Sequence, residues 1–392
     1  EVPSGTKCFD WTVPLEWNIR DAFVIDPTGR KIVDFQENNL HAMGYSIPVD
    51  TTLSLDDLQK HLHSLPDMPD AIPYVTSYYK EAWGICLSHK LRESLKPGDY
   101  QVRIDSTLAP GSLTYGELII PGQSDKEIFV STYVCHPSMA NNELSGPVVA
   151  TYLARWVSSL ESRRYTYRFV FAPETIGSLV YLQNNLETLR AQVVTALNLT
   201  CLGSNFEFSY LPSRHGGTLA DRVALHVLRH FAPNYNAYSF LDRGSDERQY
   251  CSPGVDLPMV SLMRGIYGNF PGYHTSEDDL SFISPEGLGG GYQVNRLCLQ
   301  CLEGNAVPRA TKIGEPRLDQ YGLFPTTSGR GHSDQVRNLL HLLAYADGTM
   351  DLLGIADLIG IPFWELADIA KVLEEKELLV LEAGTTQVQK RE

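Results

Sequence analysis

The sequence predicts an α/β fold, a mixed sheet flanked by helices, with an inserted small β-rich domain and a C-terminal winged helix. Three observations carry that prediction. Apolar runs at 128–134 and 167–172 each break at a short polar loop and continue into a helical pattern, at 147–157 and 178–185. Strand, loop and helix in that order build a largely parallel sheet. Ahead of them, residues 17–113 carry alternating apolar and polar positions between turn signals, the mark of half-buried strands. Behind them, three amphipathic helical patterns at 336–343, 352–359 and 364–378 precede a short strand at 379–381, which reads as a winged helix.

Along the chain, residues 1–16 begin the core, 17–113 form the insertion, 114–312 form the α/β core, and 325–392 form the winged helix. Within the insertion, residues 19–25 and 31–35 flank an Asp-Pro-Thr-Gly turn at 26–29 and so predict a hairpin. At 392 residues and 43% hydrophobic, the chain is long enough for two or three cores.

Charge narrows the partners. A formal net charge of −15 disfavours nonspecific binding to nucleic acid or an anionic membrane. From Ser333 to Glu392, five basic residues stand against eleven acidic ones. The predicted recognition helix is itself acidic at Glu365, Asp368, Glu374, Glu375 and Glu377, so phosphate contact there would be repulsive. The module is expected to be a lid or an association surface, with Phe363 and Trp364 packing on the core or on a second copy. No nucleic-acid partner is expected, and no run approaches the ~18 apolar residues of a membrane span. Seven scattered cysteines, an odd number, fit a reducing cytoplasm. Cys298 and Cys301 have metal-like spacing, but they lack a second pair and lie in an apolar helical stretch, so they read as structural.

The chemistry sits in two strand ends and one distant loop. His136 falls just after the first apolar run and Glu174 just after the second. In open α/β sheets, strand carboxyl ends are where ligands bind. The loop holds Tyr273 and His274, with Asp278 four residues beyond the histidine.

The order of these residues resembles the zinc aminopeptidase fold shared by bacterial leucyl aminopeptidases, glutamate carboxypeptidase and glutaminyl cyclase. The likeness runs through His136, Asn142 three residues before Ser145-Gly146, Pro173-Glu174, and Tyr273-His274-Thr275, over about residues 115–305. It is closer to a bacterial aminopeptidase-like subgroup of unassigned function that carries the phrases at 135–138, 173–178 and 245–250, and this likeness extends over nearly the whole chain.

The resemblance implies that His136 and His274 are metal ligands and that Glu174 is the general base. It also implies that Asn142, Thr175 and Thr200 stand where three metal-binding carboxylates would be. Zinc prefers thiolate, imidazole or carboxylate, and two neighbouring dications need anions to offset their repulsion. One zinc at most is therefore expected, held by His136, His274 and Glu143, the neighbour of Asn142, with a water completing the tetrahedron. Glu174 would move the proton, Asp246 would share it, and Tyr273 would donate to a developing oxyanion. Arg248 and Arg264 could bind a substrate carboxylate, but they read more simply as surface residues.

The expected activity is that of a metal-dependent hydrolase of aminopeptidase type, acting on an amide or small peptide. An acyl transferase or cyclase, in which an amine replaces water, is an alternative on the same fold. So is a binding protein without chemistry, against which the surviving Glu174 argues. Association into a homo-oligomer stays open.

Overall fold

A computed structural model describes residues 1–323 and 333–382. Lys390, Arg391 and Glu392 of the C-terminal charge count lie outside the described residues.

Seven strands make the central sheet, in the order Gly116–Ile120, Thr166–Ala172, Glu127–Tyr133, Val193–Leu199, Met259–Arg264, Phe208–Leu211 and Asn236–Ala237. The four from Thr166–Ala172 to Met259–Arg264 are mutually parallel. Glu127–Tyr133 is buried at every position, as a strand covered on both faces must be. Its successor in sequence, Thr166–Ala172, pairs on one side of it and the next, Val193–Leu199, on the other. The chain thus reverses its direction of winding at this strand. That reversal opens a crevice at the strands' carboxyl ends, the usual binding place in such sheets.

Helices cover both faces. Ser145–Ser159, Leu219–Phe231 and Pro285–Gly304 pack on one, where Val149, Leu153, Val223, Val227 and Cys298 share a core with Ile128 and Leu197. Ile176–Gln192 lies on the other, with Tyr181, Leu182 and Leu189 against Phe129 and Ala196. Ser145–Ser159 begins twelve residues after Tyr133 and Ile176–Gln192 four after Ala172, so the two loops that leave these parallel neighbours lie at the same edge of the sheet.

Residues 1–13 lie on the core. Val2–Pro3 pairs with Ser112–Leu113, and Cys8, Val13 and Leu113 pack on Leu179 and Val180. Between these attachments stands a four-stranded antiparallel sheet, in the order Lys31–Asp34, Glu16–Ile25, Asp99–Ala109 and Val49–Ser54, with a core of its own. Its hairpin turns where Asp26 Oδ1 accepts the Thr28 and Arg30 amides at 2.9 and 3.0 Å.

The C-terminal module has helices Ser333–Tyr345, Leu352–Ile359 and Phe363–Glu375. Its small sheet joins Leu379–Glu382 to Val307–Ala310, antiparallel. The module thus takes up a strand that sequence reading placed in the core, because backbone pairing with a partner some seventy residues away leaves no local periodicity. Its apolar residues belong to the core cluster of the main sheet: Leu352, Leu353, Phe363 and Leu366 are buried with Val223, Val227 and Leu302. The acidic Glu365, Asp368, Glu374 and Glu375 face outward.

Candidate active site

At the crevice, the loop after Glu127–Tyr133 places His136 and then tightens into a single π-helical turn, Ala140–Leu144. Such turns recur at functional sites. Asp278 holds its start, accepting the Asn141 and Asn142 amides at 2.6 and 2.9 Å. Asn141 in turn accepts the Gly203 and Ser204 amides through Oδ1, which ties the loop after the third parallel strand to the first. Ser138, Thr175, Cys201 and His274 all have positive φ, between 52 and 64°. Non-glycine residues held in that region mark backbone constrained by its surroundings, often at a functional site.

His136 and His274 meet, their ring centroids 4.7 Å apart. Tyr273 stacks on His274 at 3.9 Å, and Tyr74 of the inserted domain sets its edge against both imidazoles, at 4.6 and 5.5 Å. The Tyr74 amide also donates to the His274 carbonyl at 2.8 Å. Burial pushes both histidines down to about 4, so they are neutral at pH 7.

Glu143, expected as a metal ligand, lies against His136. One of its oxygens bonds to His136 Nδ1 and the other accepts the Cys135 amide at 2.8 Å. That is the position of a carboxylate that orients an imidazole, leaving Nε2 as the nitrogen a metal could use. Burial raises Glu143 to about 8.

Where the resemblance implies carboxylates, a neutral network stands instead. Asn142 Nδ2 donates to the Tyr133 hydroxyl at 3.0 Å, and Tyr133 meets Thr200 Oγ1 at 2.5 Å. Thr200 reaches back to the Asn142 carbonyl at 3.3 Å. Thr175 accepts from Arg248 through Oγ1 at 3.1 Å. Among the described residues, no group of three or more His, Cys, Asp or Glu converges as a metal cage. This donor set does not fit two zinc ions. It fits one only through His136 and His274, and the buried His274 Nε2 has no hydrogen-bond partner.

Glu174 and Asp246 are neighbouring acids. Burial, then the neighbouring Asp246, hold Glu174 well above the usual carboxylate range. Burial likewise raises Asp246 to about 7, against the pull of the Thr175 amide at 2.7 Å and the Ser178 hydroxyl at 3.0 Å. Asp246 Oδ2 is buried without a partner. A carboxyl raised by burial and by a neighbouring acid can hold a proton near neutral pH.

His136, His274, Glu143 and Asn142 are thus brought together, and Tyr273 joins them through its stack on His274. Arg264 turns away, its guanidinium on the Ser204 carbonyl and over the Phe208 ring. Sequence reading missed Tyr74 because nothing local marks a tyrosine that reaches across from another domain. It missed the capping role of Asp278, although the aspartate was in plain view four residues after His274.

Comparison with known proteins follows this geometry. Residues 1–305 match a family described as a domain of unknown function, DUF4910, and residues 306–381 match a winged helix-turn-helix family. A Clostridium acetobutylicum protein, provisionally named for polysaccharide biosynthesis with an aminopeptidase-like domain, is 43% identical, covering 97% of this chain and 88% of its own. A crystal structure from that organism, provisionally described as a peptidase, superposes with a TM-score of 0.91 at 42% identity, covering 97% of this chain and 87% of that one. A zinc aminopeptidase from Bacillus subtilis shares the fold alone, with a TM-score of 0.53 at 14% identity over 73% of this chain and 84% of that one. The chain belongs to the DUF4910 family, aminopeptidase-like in fold, with a C-terminal winged helix.

Proposed function

We propose that this protein cleaves an amide bond, as a hydrolase of aminopeptidase type whose site holds at most one zinc ion. The observation that carries this reading is the pair of facing histidines, His136 and His274, together with Glu174 at a neighbouring strand end, a carboxyl that burial and the nearby Asp246 hold above its usual range. Glu174, once deprotonated, takes the proton from the attacking water and returns it to the leaving amine. Asp246 holds that proton between the two transfers. Tyr273, braced on His274, donates toward the oxygen where negative charge grows. A zinc ion held by His136 and His274 would supply Lewis-acid polarisation, and Glu143 would fix the His136 ring for it.

The Clostridium relative's name speaks of polysaccharide biosynthesis. Carried to this chain, it makes an amide borne on a sugar the first substrate class to try, beside aminoacyl-nitroanilides and dipeptides. The acidic face of the winged helix supports a protein that works without a nucleic-acid partner.

Glu174→Gln tests the mechanism. The variant should keep its fold and any metal, while turnover falls by roughly 10²-fold or more, the scale of lost general acid–base catalysis. Turnover equal to wild type would remove Glu174 from the chemistry.

A further inference from the structure

A cavity of about 390 Å³ opens at the seam between the inserted domain and the core, beside the candidate site. Gln36, Glu37 and Asn39 wall it from the inserted domain, and Ser138, Ser276 and Asp279 from the core. Ser138 stands two residues beyond His136, and Ser276 two beyond His274. A ligand seated there therefore has one end at the loops that carry both imidazoles.

The lining specifies that ligand's chemistry. Gln36, Asn38 and Asn39 all line the cavity; Gln36 Nε2 donates to the Arg20 carbonyl at 3.1 Å and to Asp21 at 3.4 Å, which leaves its carbonyl oxygen as an acceptor for a ligand. Asn38 Oδ1 already accepts the Leu40 amide at 2.9 Å, and Asn39 Oδ1 the Ser138 hydroxyl at 2.7 Å. Their oxygens being engaged, both residues are held in place with the NH2 ends as donors. Donors and acceptors side by side suit vicinal hydroxyls, which do both. Phe35 supplies an aromatic wall for the C–H face of a ring.

The ionic lining residues are Glu37 and Asp279, both acidic, so a phosphate or carboxylate ligand would be repelled. Pockets for apolar side chains are lined mostly by apolar groups, whereas here only Phe35 and Leu40 are apolar. The volume lies within the usual small-ligand range.

We infer that this cavity is the subsite for an uncharged sugar ring bearing the amide that is presented to His136, His274 and Glu174. The assignment rests on the amide-hydrolase reading above and adds to it the substrate's other end. Gln36 and Glu37 are exposed on the inserted domain, so truncating them removes ligand contacts without opening a core.

The test is calorimetric titration of the full chain with N-acetylglucosamine and, separately, with alanyl-alanine. The sugar should bind saturably, and Gln36→Ala and Glu37→Ala should each weaken it by about tenfold, the loss of one or two hydrogen bonds. No saturable sugar binding, or sugar binding indifferent to both alanine variants, would overturn the assignment. So would a dipeptide that depends on Gln36 and Glu37 where the sugar does not. Sugar binding that fails while Glu174→Gln still slows amide cleavage removes the subsite and keeps the hydrolase. Sugar binding that holds while Glu174→Gln changes no turnover does the reverse.

Discussion

The inserted domain and the winged helix are attached to the same core by different kinds of contact. The inserted domain arrives through loops. Ile72 and Ser276 exchange bonds at 2.9 Å, Ser138 reaches Asn39, and the Tyr74 ring lies on the two histidines. The winged helix arrives through helices. Phe363, Leu366, Leu352 and Leu353 are buried in the main core, and a polar clasp seals the edge. His226, wholly buried, bonds Asp357 at 2.8 Å through Nδ1 and accepts the Phe363 amide at 2.8 Å through Nε2. Arg222 grips Asp351 with two bonds at 2.7 and 3.0 Å. A loop contact at a site shapes chemistry at small cost to stability, while shared core and buried polar pairs carry stability and leave the site alone. The same clasp spends the first amide of the predicted recognition helix on the core, at the helix end where base contacts would be made.

This contrast can be broken by substitution on each side. His226→Ala has the largest expected effect: it leaves the Phe363 amide unpartnered and takes from Asp357 one of its two partners, Arg229 being the other at 3.2 Å; it should cost about 3 kcal/mol in denaturant unfolding while turnover of folded protein stays unchanged. Lost turnover with unchanged stability would reverse the roles assigned to the two modules. Tyr74→Ala should act in the opposite sense, lowering kcat/KM by about tenfold with little change in melting temperature, because Tyr74 is only partly buried and its neighbours are the site histidines.

Acid should act on the clasp as a weaker form of His226→Ala. Burial holds His226 below its ordinary 6.5 despite the pull of Asp357. The unfolded chain takes up a proton near that value while the folded chain does not, so stability should fall as pH drops below it. His226→Ala should flatten this dependence, and thermal melts between pH 7 and pH 5 read it directly. The opposite sign is expected at the site. Asp246 is raised to about 7, so the folded protein prefers it protonated, and stability from this pair is lost as pH rises through that value. Smallest of all is the expected duplex affinity: a mobility-shift titration at physiological salt should show no saturable binding, since the outward face of Phe363–Glu375 is acidic.

Much of the fold could be read from pattern because its signals are local. The run at 128–134 became Glu127–Tyr133 and that at 147–157 became the centre of Ser145–Ser159. His136 and Glu174 were legible because strand ends announce themselves. Strand Val307–Ala310 was not, since only its partner at Leu379–Glu382 defines it. Glu143 was read as a metal ligand: sequence places it near His136 and cannot say that its oxygens bond Nδ1 and the Cys135 amide. Tyr74 illustrates the same limit, a residue some sixty positions from His136 whose role exists only after the inserted domain docks.

The proposal of at most one zinc rests on Asn142, Thr175 and Thr200 standing where the resemblance implies carboxylates, with two imidazoles left as ligands. Metal content by plasma emission, on protein purified without chelators and then offered zinc, tests it most directly. The account predicts no more than one zinc per chain, released by His136→Ala and by His274→Ala. Two metals per chain, or full occupancy retained in both variants, would contradict it.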